Sequence, residues 1–409
     1  ICYDDAACFL TEVTKFTKKS PFEDSVGFYE YIQGCENGRY CEERLGKIIH
    51  VAGTNGKGSV CAFLQSIFRQ SGYRTGMFIS PHLVTTRERF CINGDMISEE
   101  EFVEAFNWLT VKIRTYHDIK PDYCPTYFER LFFMGVYVFT RADIDIMILE
   151  TGLGGRLDTT NIIKNPAVTV ITEIGFDHMA YLGDTIEKIA SEKAGIIKAG
   201  VPVVFSDRKN AVSEILCRKA KELGCKCHAV SDNDYKINEI QKKFIDFSVA
   251  SRYYDYGRLM TDTTAVYQVE NAAVAIRTIE ILKNEVIKKD CDFGQITVKS
   301  IKEGIRTMHW ACRMDEIRPG VFIDGAHNED GIAAFVQSLK MSPDCSECVL
   351  IFSVVRDKQY DQMIEMLCGL PMVTDFVITH IPGERGTNLA ELKDKFDKYA
   401  NKYTQKIYT

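Results

Sequence analysis

Apolar and polar positions along this chain fall into two alternating patterns. From Lys47 onward, short apolar runs are separated by stretches with helical spacing: KIIHVA, then a helix from Gly58 to Ser71 closed by Gly72, then RTGMFIS. Within that helix Val60, Phe63, Leu64, Ile67 and Phe68 recur at helical intervals and define one buried stripe. Further strands read at IDIMILE, AVTVIT and VPVVF. Such alternation predicts an α/β fold with a mostly parallel sheet and helices on both faces. Asp184, with Glu187 three residues on, reads as a capping box opening the helix TIEKIASEKAGIIK. The polar stretch from Ala229 to Thr264 reads as short antiparallel strands and turns, followed by the helix VENAAVAIRTIEIL.

A second alternating unit begins near His309: VFIDGAHN, a helix to about Lys340, CVLIFSVV, another helix, DFVITH and a last helix with a short tail. The helix IKEGIRTM before it has few core positions and leads into a linker. The pattern therefore divides the chain into residues 1–308 and 309–409. A length of 409 residues agrees, since single cores usually stop growing below that size. The chain opens on Ile1 rather than Met, so further residues at either end are expected.

Composition narrows the function classes. A formal charge of −7 argues against a general nucleic-acid or anionic-membrane binder, which needs a basic face. No apolar run reaches the roughly 18 to 20 residues of a membrane span, and the N-terminus lacks a signal-peptide pattern. The expectation is a cytoplasmic protein. Its fifteen cysteines are odd in number and scattered, which suits reduced thiols. Cys225/Cys227 and Cys345/Cys348 have the spacing of half a zinc site, but neither has a second pair or histidine couple at ligand spacing.

The strongest local signal is His50-Val-Ala-Gly-Thr-Asn-Gly-Lys-Gly-Ser59, between a strand and a helix. Backbone amides and the helix dipole favour a polyphosphate there. Gly53, Gly56 and Gly58 let the backbone curl round phosphate oxygens; Lys57 supplies a point charge, and the Ser59 hydroxyl can meet magnesium or phosphate. The loop is shorter than the common nucleotide loop, with two residues rather than four before Gly-Lys and with Gly58 inserted before the serine. A plain glycine-rich turn would not require Lys57 and Ser59 as well.

Glu150 ends the apolar strand IDIMIL and emerges at the sheet edge where ligands of open parallel sheets bind. It runs into Thr151-Gly-Leu-Gly-Gly-Arg-Leu-Asp158, and the next strand delivers Asp177 and His178 to the same edge. A carboxylate and an imidazole at neighbouring strand ends read as metal ligands. Lys193, taken alone, reads as an ordinary solvated helix lysine.

Five segments occur in this order: HVAGTNGKGS, ISPHLVTTRERFCINGDMIS, ETGLGGRLDTTNII, DH before LGDTIEKIASEKAGI, and DGAHN. Together they resemble the folylpolyglutamate synthase and dihydrofolate synthase family, within the wider Mur-type ligases. The phosphate loop and DGAHN belong to the wider class; SPHL, TYFE at Thr126 to Glu129, and GLGGRLDTTN are the folate-type signs. The resemblance implies an N-terminal P-loop nucleotide-binding domain and a smaller C-terminal Rossmann-like domain, with the active site in the cleft between them. It implies ATP and magnesium, with potassium as a family expectation. By position Ser80, Glu150 and His178 would hold magnesium, and Lys193 would be the lysine that the family carbamylates. Thr54, Asn55, Asn271, Arg313 and Asp324 join the loop as nucleotide contacts. His82, Thr126, Phe128, Glu129, Arg156 and Asp158 align with the folate region, and His327 with Asn328 helps position glutamate or phosphate.

The chain departs from the family in places. Ala265-Val-Tyr-Gln268 stands for Gly-x-His-Gln, Ala311-Cys-Arg313 for Pro-Gly-Arg, and DKQY at Asp357 for a more usual Asp-Lys-Asp. The family's closing Gly-Ser strand and final helix have no counterpart before Thr409. The expected reaction is ATP-dependent ligation of glutamate to a folate carboxylate, or to dihydropteroate, by a monomer acting on small molecules. The alternatives are another Mur-type amino-acid ligase, a nucleotide-binding switch, and a non-catalytic relative.

Overall fold

The structure, a computed structural model of the chain, describes residues 1–16, 21–286, 293–343, 345–383, 385–400 and 405–409. Two helices, α1 (Tyr3–Phe16) and α2 (Phe22–Gly34), precede the sheet. The chain then runs through β1 (Lys47–Ala52), α3 (Lys57–Gln70), β2 (Thr75–Phe78), β3 (Phe90–Ile92), β4 (Asp95–Met96), α4 (Glu99–Tyr116), α5 (Tyr127–Arg141), β5 (Ile146–Glu150) and β6 (Val168–Ile171). It continues with α6 (Met179–Leu182), α7 (Ile186–Ala194), β7 (Val203–Ser206), α8 (Asn210–Glu222) and β8 (Cys227–Val230). These eight strands form one sheet in the order β4-β3-β2-β5-β1-β6-β7-β8, antiparallel only at the β2/β3 and β3/β4 pairs.

The central strands β2, β5, β6 and β7 are buried along their whole length, and β1 beyond Lys47, because helices cover both faces. Ile49 and Val51 of β1 join a core built with α3, while Ile48 joins the core of α1, α2, α4 and α5 on the other face. From β1 the chain moves outward to β2, returns to lay β5 beside β1, and then crosses to β6 on the other side. That reversal opens a crevice at the C-terminal ends of β1, β5 and β6, the place where open α/β sheets bind ligands.

The polar stretch after β8 forms a three-stranded antiparallel sheet of β9 (Tyr235–Ile240), β10 (Ile245–Val249) and β11 (Leu259–Thr261). α9 (Tyr267–Asn284) and α10 (Val298–Thr307) then pack on α3. α10, expected to have few core positions, buries Ser300, Ile301, Gly304 and Ile305, and a Cβ on Gly304 would lie 2.6 Å from the Ile67 Cα. Its amphipathic stripe is short, so periodicity undercounted it. The cap of α7 is also Thr185, whose hydroxyl accepts from the Lys188 amide, while Asp184 pairs with the Lys188 ammonium.

The C-terminal part begins with a hairpin of β12 (Asp315–Arg318) and β13 (Val321–Ile323), so VFI pairs antiparallel with its neighbour and stands outside the parallel ladder. α11 (Glu329–Met341), β14 (Cys348–Phe352), α12 (Tyr360–Cys368), β15 (Val373–Ile378), α13 (Leu389–Ala400) and β16 (Lys406–Tyr408) follow. The last three strands pair in parallel in the order β14-β15-β16. The tail read as following the last helix thus contains a short strand. This part has its own core of Ile332, Val336, Met363, Leu367, Phe376 and Phe396. Among the described residues no helix is long and apolar enough to cross a membrane. Cys227 faces Cys217 of α8 at 3.3 Å between sulfurs, so the spacing of Cys225 and Cys227 does not pair them with each other.

Candidate functional site

The crevice is built on the loop after β1. Gly56 sits at φ +83°, and a Cβ there would lie 2.3 Å from Asn271 Oδ1, so only glycine fits. Lys57 opens α3, and its ammonium folds back to donate to the carbonyls of Gly53 and Thr54 at 3.2 Å each. Thr54 and Asn55 brace the loop from outside: both amides donate to the Glu173 carbonyl, and the Thr54 hydroxyl bridges to Gly175. The first-turn amides of α3 have no carbonyl to bond within the helix and so suit an anion. Ser59 Oγ is fully buried and lacks a hydrogen-bond partner among the described residues. A buried hydroxyl left unsatisfied is costly and points to a bound group.

The neighbouring strand ends complete the site. Glu150 is buried, and its carboxylate accepts from the Ser80 amide at 3.0 Å. Burial pushes the Glu150 carboxyl up, with Lys57 and the Ser80 amide pulling the other way. Lys193 is 4% exposed, and its amine donates to the Gly53 carbonyl at 2.6 Å. Burial, helped by the nearby Lys57 charge, lowers its pKa to about 7. The surface lysine suggested by periodicity is therefore a buried amine under the phosphate loop.

His178 follows the β6 end in a left-handed conformation, φ 51°, which a non-glycine residue adopts only at a cost. Its neighbour Asp177 is the meeting point of the two parts of the chain. Lys358 Nζ donates to Asp177 Oδ1, Asn328 Nδ2 donates to Oδ2 at 3.3 Å, and His327 Nε2 stands 3.5 Å from Oδ2. Burial alone would raise the Asp177 carboxyl, but His327 and Lys358 outweigh it and hold it far below the usual range. Asn328 also caps α11 through the Gly331 amide and reaches Asn55 Oδ1 at 2.9 Å. Asp324 and Arg313 enter from the same side, Arg313 with Nη1 on the Cys312 carbonyl at 2.7 Å.

One cleft is lined by Gly53, Thr54, Asn55, Gly56, Lys57, Gly58, Ser59, Ser80, Glu150, His178, Lys193, Asn271, Arg313, Asp324 and His327. Every residue that sequence reasoning set aside for nucleotide, metal or catalysis thus meets there. The folate-region residues lie outside it. Thr126 and Glu129 are tied to each other as the capping box of α5, and Glu129 also accepts from Ser25. Asp158 is buried and accepts from the amides of Gly152, Leu153 and Thr160, which shapes the glycine-rich loop. Phe128 packs so closely on that loop that a Cβ on Gly152 would touch its ring. Arg156 pairs with Glu192 on the surface, and His82 accepts from Arg89 Nε at 2.9 Å. Tyr267, Glu173 and Glu270 also line the cleft, and Lys358 reaches it through Asp177, with no local signal in the sequence to mark them. Lys358 sits in the altered DKQY segment, whose departure from the family pattern obscured that the lysine itself was retained.

Comparison with known proteins agrees with this geometry. Residues 109–279 match the Mur ligase middle domain family. The dihydrofolate synthase/folylpolyglutamate synthase of Bacillus subtilis (strain 168) is 35% identical over 329 residues, covering 80% of this chain and 75% of that protein. The folylpolyglutamate synthase of Mycobacterium tuberculosis complexed with ADP superposes with a TM-score of 0.83 at 25% identity, covering 99% of this chain and 89% of that one. A folylpolyglutamate synthase–AMPPCP–folate complex superposes with a TM-score of 0.81 at 25% identity, covering 100% of this chain and 96% of that one. With a phosphate loop, a buried carboxylate and a buried amine gathered at one sheet edge, this chain belongs to the folylpolyglutamate synthase/dihydrofolate synthase family of Mur-type ligases.

Proposed function

We propose that the chain uses ATP to activate the terminal carboxylate of a folate and joins glutamate to it as an amide, releasing ADP and phosphate. The observation that carries this reading is the convergence of Lys57, Ser59, Glu150 and Lys193 with Arg313, Asp324 and His327 in one cleft, so that both parts of the chain line it. A nucleotide switch would not need a second lobe to finish its site.

In the first step a folate carboxylate oxygen attacks the γ-phosphorus, the bond to the ADP oxygen breaks, and an acyl phosphate forms. The transferring group carries little new covalent demand but much charge, so positioning and neutralisation dominate. Lys57, the first-turn amides of α3 and Arg313 supply positive charge from this chain. The glutamate amine then attacks the acyl carbon, phosphate leaves, and the amine gives up a proton. His327, held against Asp177, is near enough to the cleft to orient the amine or the departing phosphate.

Ser80, Glu150 and His178 would hold magnesium. Ser80 and Glu150 offer the oxygen donors that a hard cation takes, and the desolvated Glu150 carboxylate gains from its charge; the orphaned Ser59 hydroxyl in the same cleft can serve that ion or a phosphate. Among the described residues no three His, Cys, Asp or Glu side chains converge as a metal cluster, so an ion held here would need further ligands from water and phosphate. When bound, it neutralises phosphate oxygens as a Lewis acid. Glu150→Gln is expected to raise the magnesium concentration for half-maximal activity by roughly tenfold or more. An unchanged metal titration removes Glu150 from the set.

The finer parts of the reading rest on the same cleft. Lys193, whose lowered pKa leaves a large fraction of the amine uncharged at pH 7, can add carbon dioxide as a carbamate, losing one proton and gaining a carboxylate-like head. Potassium dependence, a monomeric state and a cytoplasmic location complete it, as does a division at residues 308 and 309 into two domains that close on the nucleotide. The test is ADP formation with magnesium and glutamate in the presence of dihydropteroate, of tetrahydrofolate, or of neither, with product masses. Growth of an acceptor by one glutamyl unit supports the ligase and says which activity is present; acceptor-independent hydrolysis or none overturns it.

A further inference from the structure

At position 267, where the family pattern has histidine, this chain carries a tyrosine, and that side chain crosses between the two parts of the molecule. Tyr267 opens α9, and its phenol donates to Asp324 Oδ2 at 2.5 Å. The same oxygen accepts from the Met314 amide at 2.9 Å, and Oδ1 accepts from the Ala326 amide at 2.8 Å. Those amides lie on either side of the hairpin, and Met314 and Cys312 flank Arg313 with left-handed φ of 49° and 58°. Asp324 is thus the knot holding the Arg313 turn, and Tyr267 is its side-chain tether to the larger lobe. Beside it the Val266 amide donates to the buried Ser338 hydroxyl at 3.1 Å, a second bond across the same seam.

We infer that Tyr267 is a positioning residue for nucleotide binding: its phenol fixes the orientation of Asp324 and, through Asp324, the turn that presents Arg313 to the cleft. A phenol–carboxylate hydrogen bond is short and directional and holds one rotamer of the acid. Tyr267, Asp324, Arg313 and Asn271 all line the one cleft, so a shift in the acid is felt at the nucleotide. Burial and the Asp324 charge raise the phenol well above its ordinary value, so it keeps its proton and remains the donor.

This inference rests on the nucleotide reading of the cleft, and its test is separable from the ligase reading because it measures ADP binding directly. Calorimetric titration of the intact chain with magnesium and ADP should give Tyr267→Phe a Kd about tenfold weaker than wild type, the loss of one hydrogen bond to a charged group. Tyr267→His should recover most of that loss. Ser338→Ala, which breaks the neighbouring bond without touching Asp324, should leave the Kd within about twofold. In turnover assays the Tyr267→Phe effect should fall on KM for ATP and not on KM for the folate. Unaltered ADP binding in Tyr267→Phe, or an equal loss in Ser338→Ala, overturns the positioning role; absence of folate-dependent turnover in wild type overturns the ligase reading alone.

Discussion

Replacing Lys57 by alanine is expected to lower kcat by roughly a thousandfold, the scale at which a single cation serves a phosphoryl transfer. The ammonium is held by the Gly53 and Thr54 carbonyls inside the curl of the loop, so it is partly desolvated and fixed at the loop before a nucleotide arrives. Phosphate oxygens compete for it with two neutral carbonyls, an exchange that favours the anion. Alanine has the helix propensity to keep α3 intact, so the fold should persist with an unchanged circular dichroism spectrum and melting temperature within a few degrees. Lys57→Arg should not restore activity, because a branched, planar guanidinium cannot reproduce the single ammonium's seat on the Gly53 and Thr54 carbonyls. Single-turnover phosphate release checks this; a variant within tenfold of wild type would show that the loop binds something other than the transferred phosphate.

Much of this site was legible because its chemistry is local. The phosphate loop places glycines, lysine and serine within ten residues at a strand-to-helix junction, and Glu150 ends an unmistakable apolar strand. The parallel sheet was legible for the same reason, since burial on both faces makes each strand a continuous apolar run. What escaped was set by tertiary packing. Lys193 has the spacing of a surface residue, and only the approach of α7 to the Gly53 carbonyl buries it. Lys358 meets Asp177 across 181 positions of sequence, a pairing that no local pattern encodes. In α10 the close approach to α3 is made at Gly304 as well as at Ile301 and Ile305, and hydrophobic patterning does not count a glycine. Thr126 and Glu129, aligned with the folate region, also form the capping box of α5, a local role that their spacing encodes.

Lys193→Met should abolish measurable ligase activity, by a hundredfold or more, and yet stabilise the protein in acid. The folded chain buries this amine and lowers its pKa to about 7, while the unfolded chain keeps the proton up to about the ordinary 10.5. Below pH 7 the lysine is charged in both states, and the folded state bears the full cost of burying that charge. Between pH 7 and 10.5 the unfolded chain binds more protons than the folded one, so wild-type stability from this group rises with pH. Methionine fills similar space without a charge, giving an expected gain of about 2–4 kcal/mol at pH 6, less the hydrogen bond to the Gly53 carbonyl. The gain should shrink steadily as pH rises toward 10. Urea denaturation of both proteins in carbonate-free buffer at pH 6 and pH 9 measures it, carbonate being excluded so that no carbamate alters the wild-type charge. A methionine variant that is less stable at pH 6, or whose advantage is the same at both values, would mean that the amine is not buried as a free base. A stable, well-folded and inactive variant would mean that the protein carries Lys193 against its own stability, which is the pattern expected of a group retained for chemistry rather than packing.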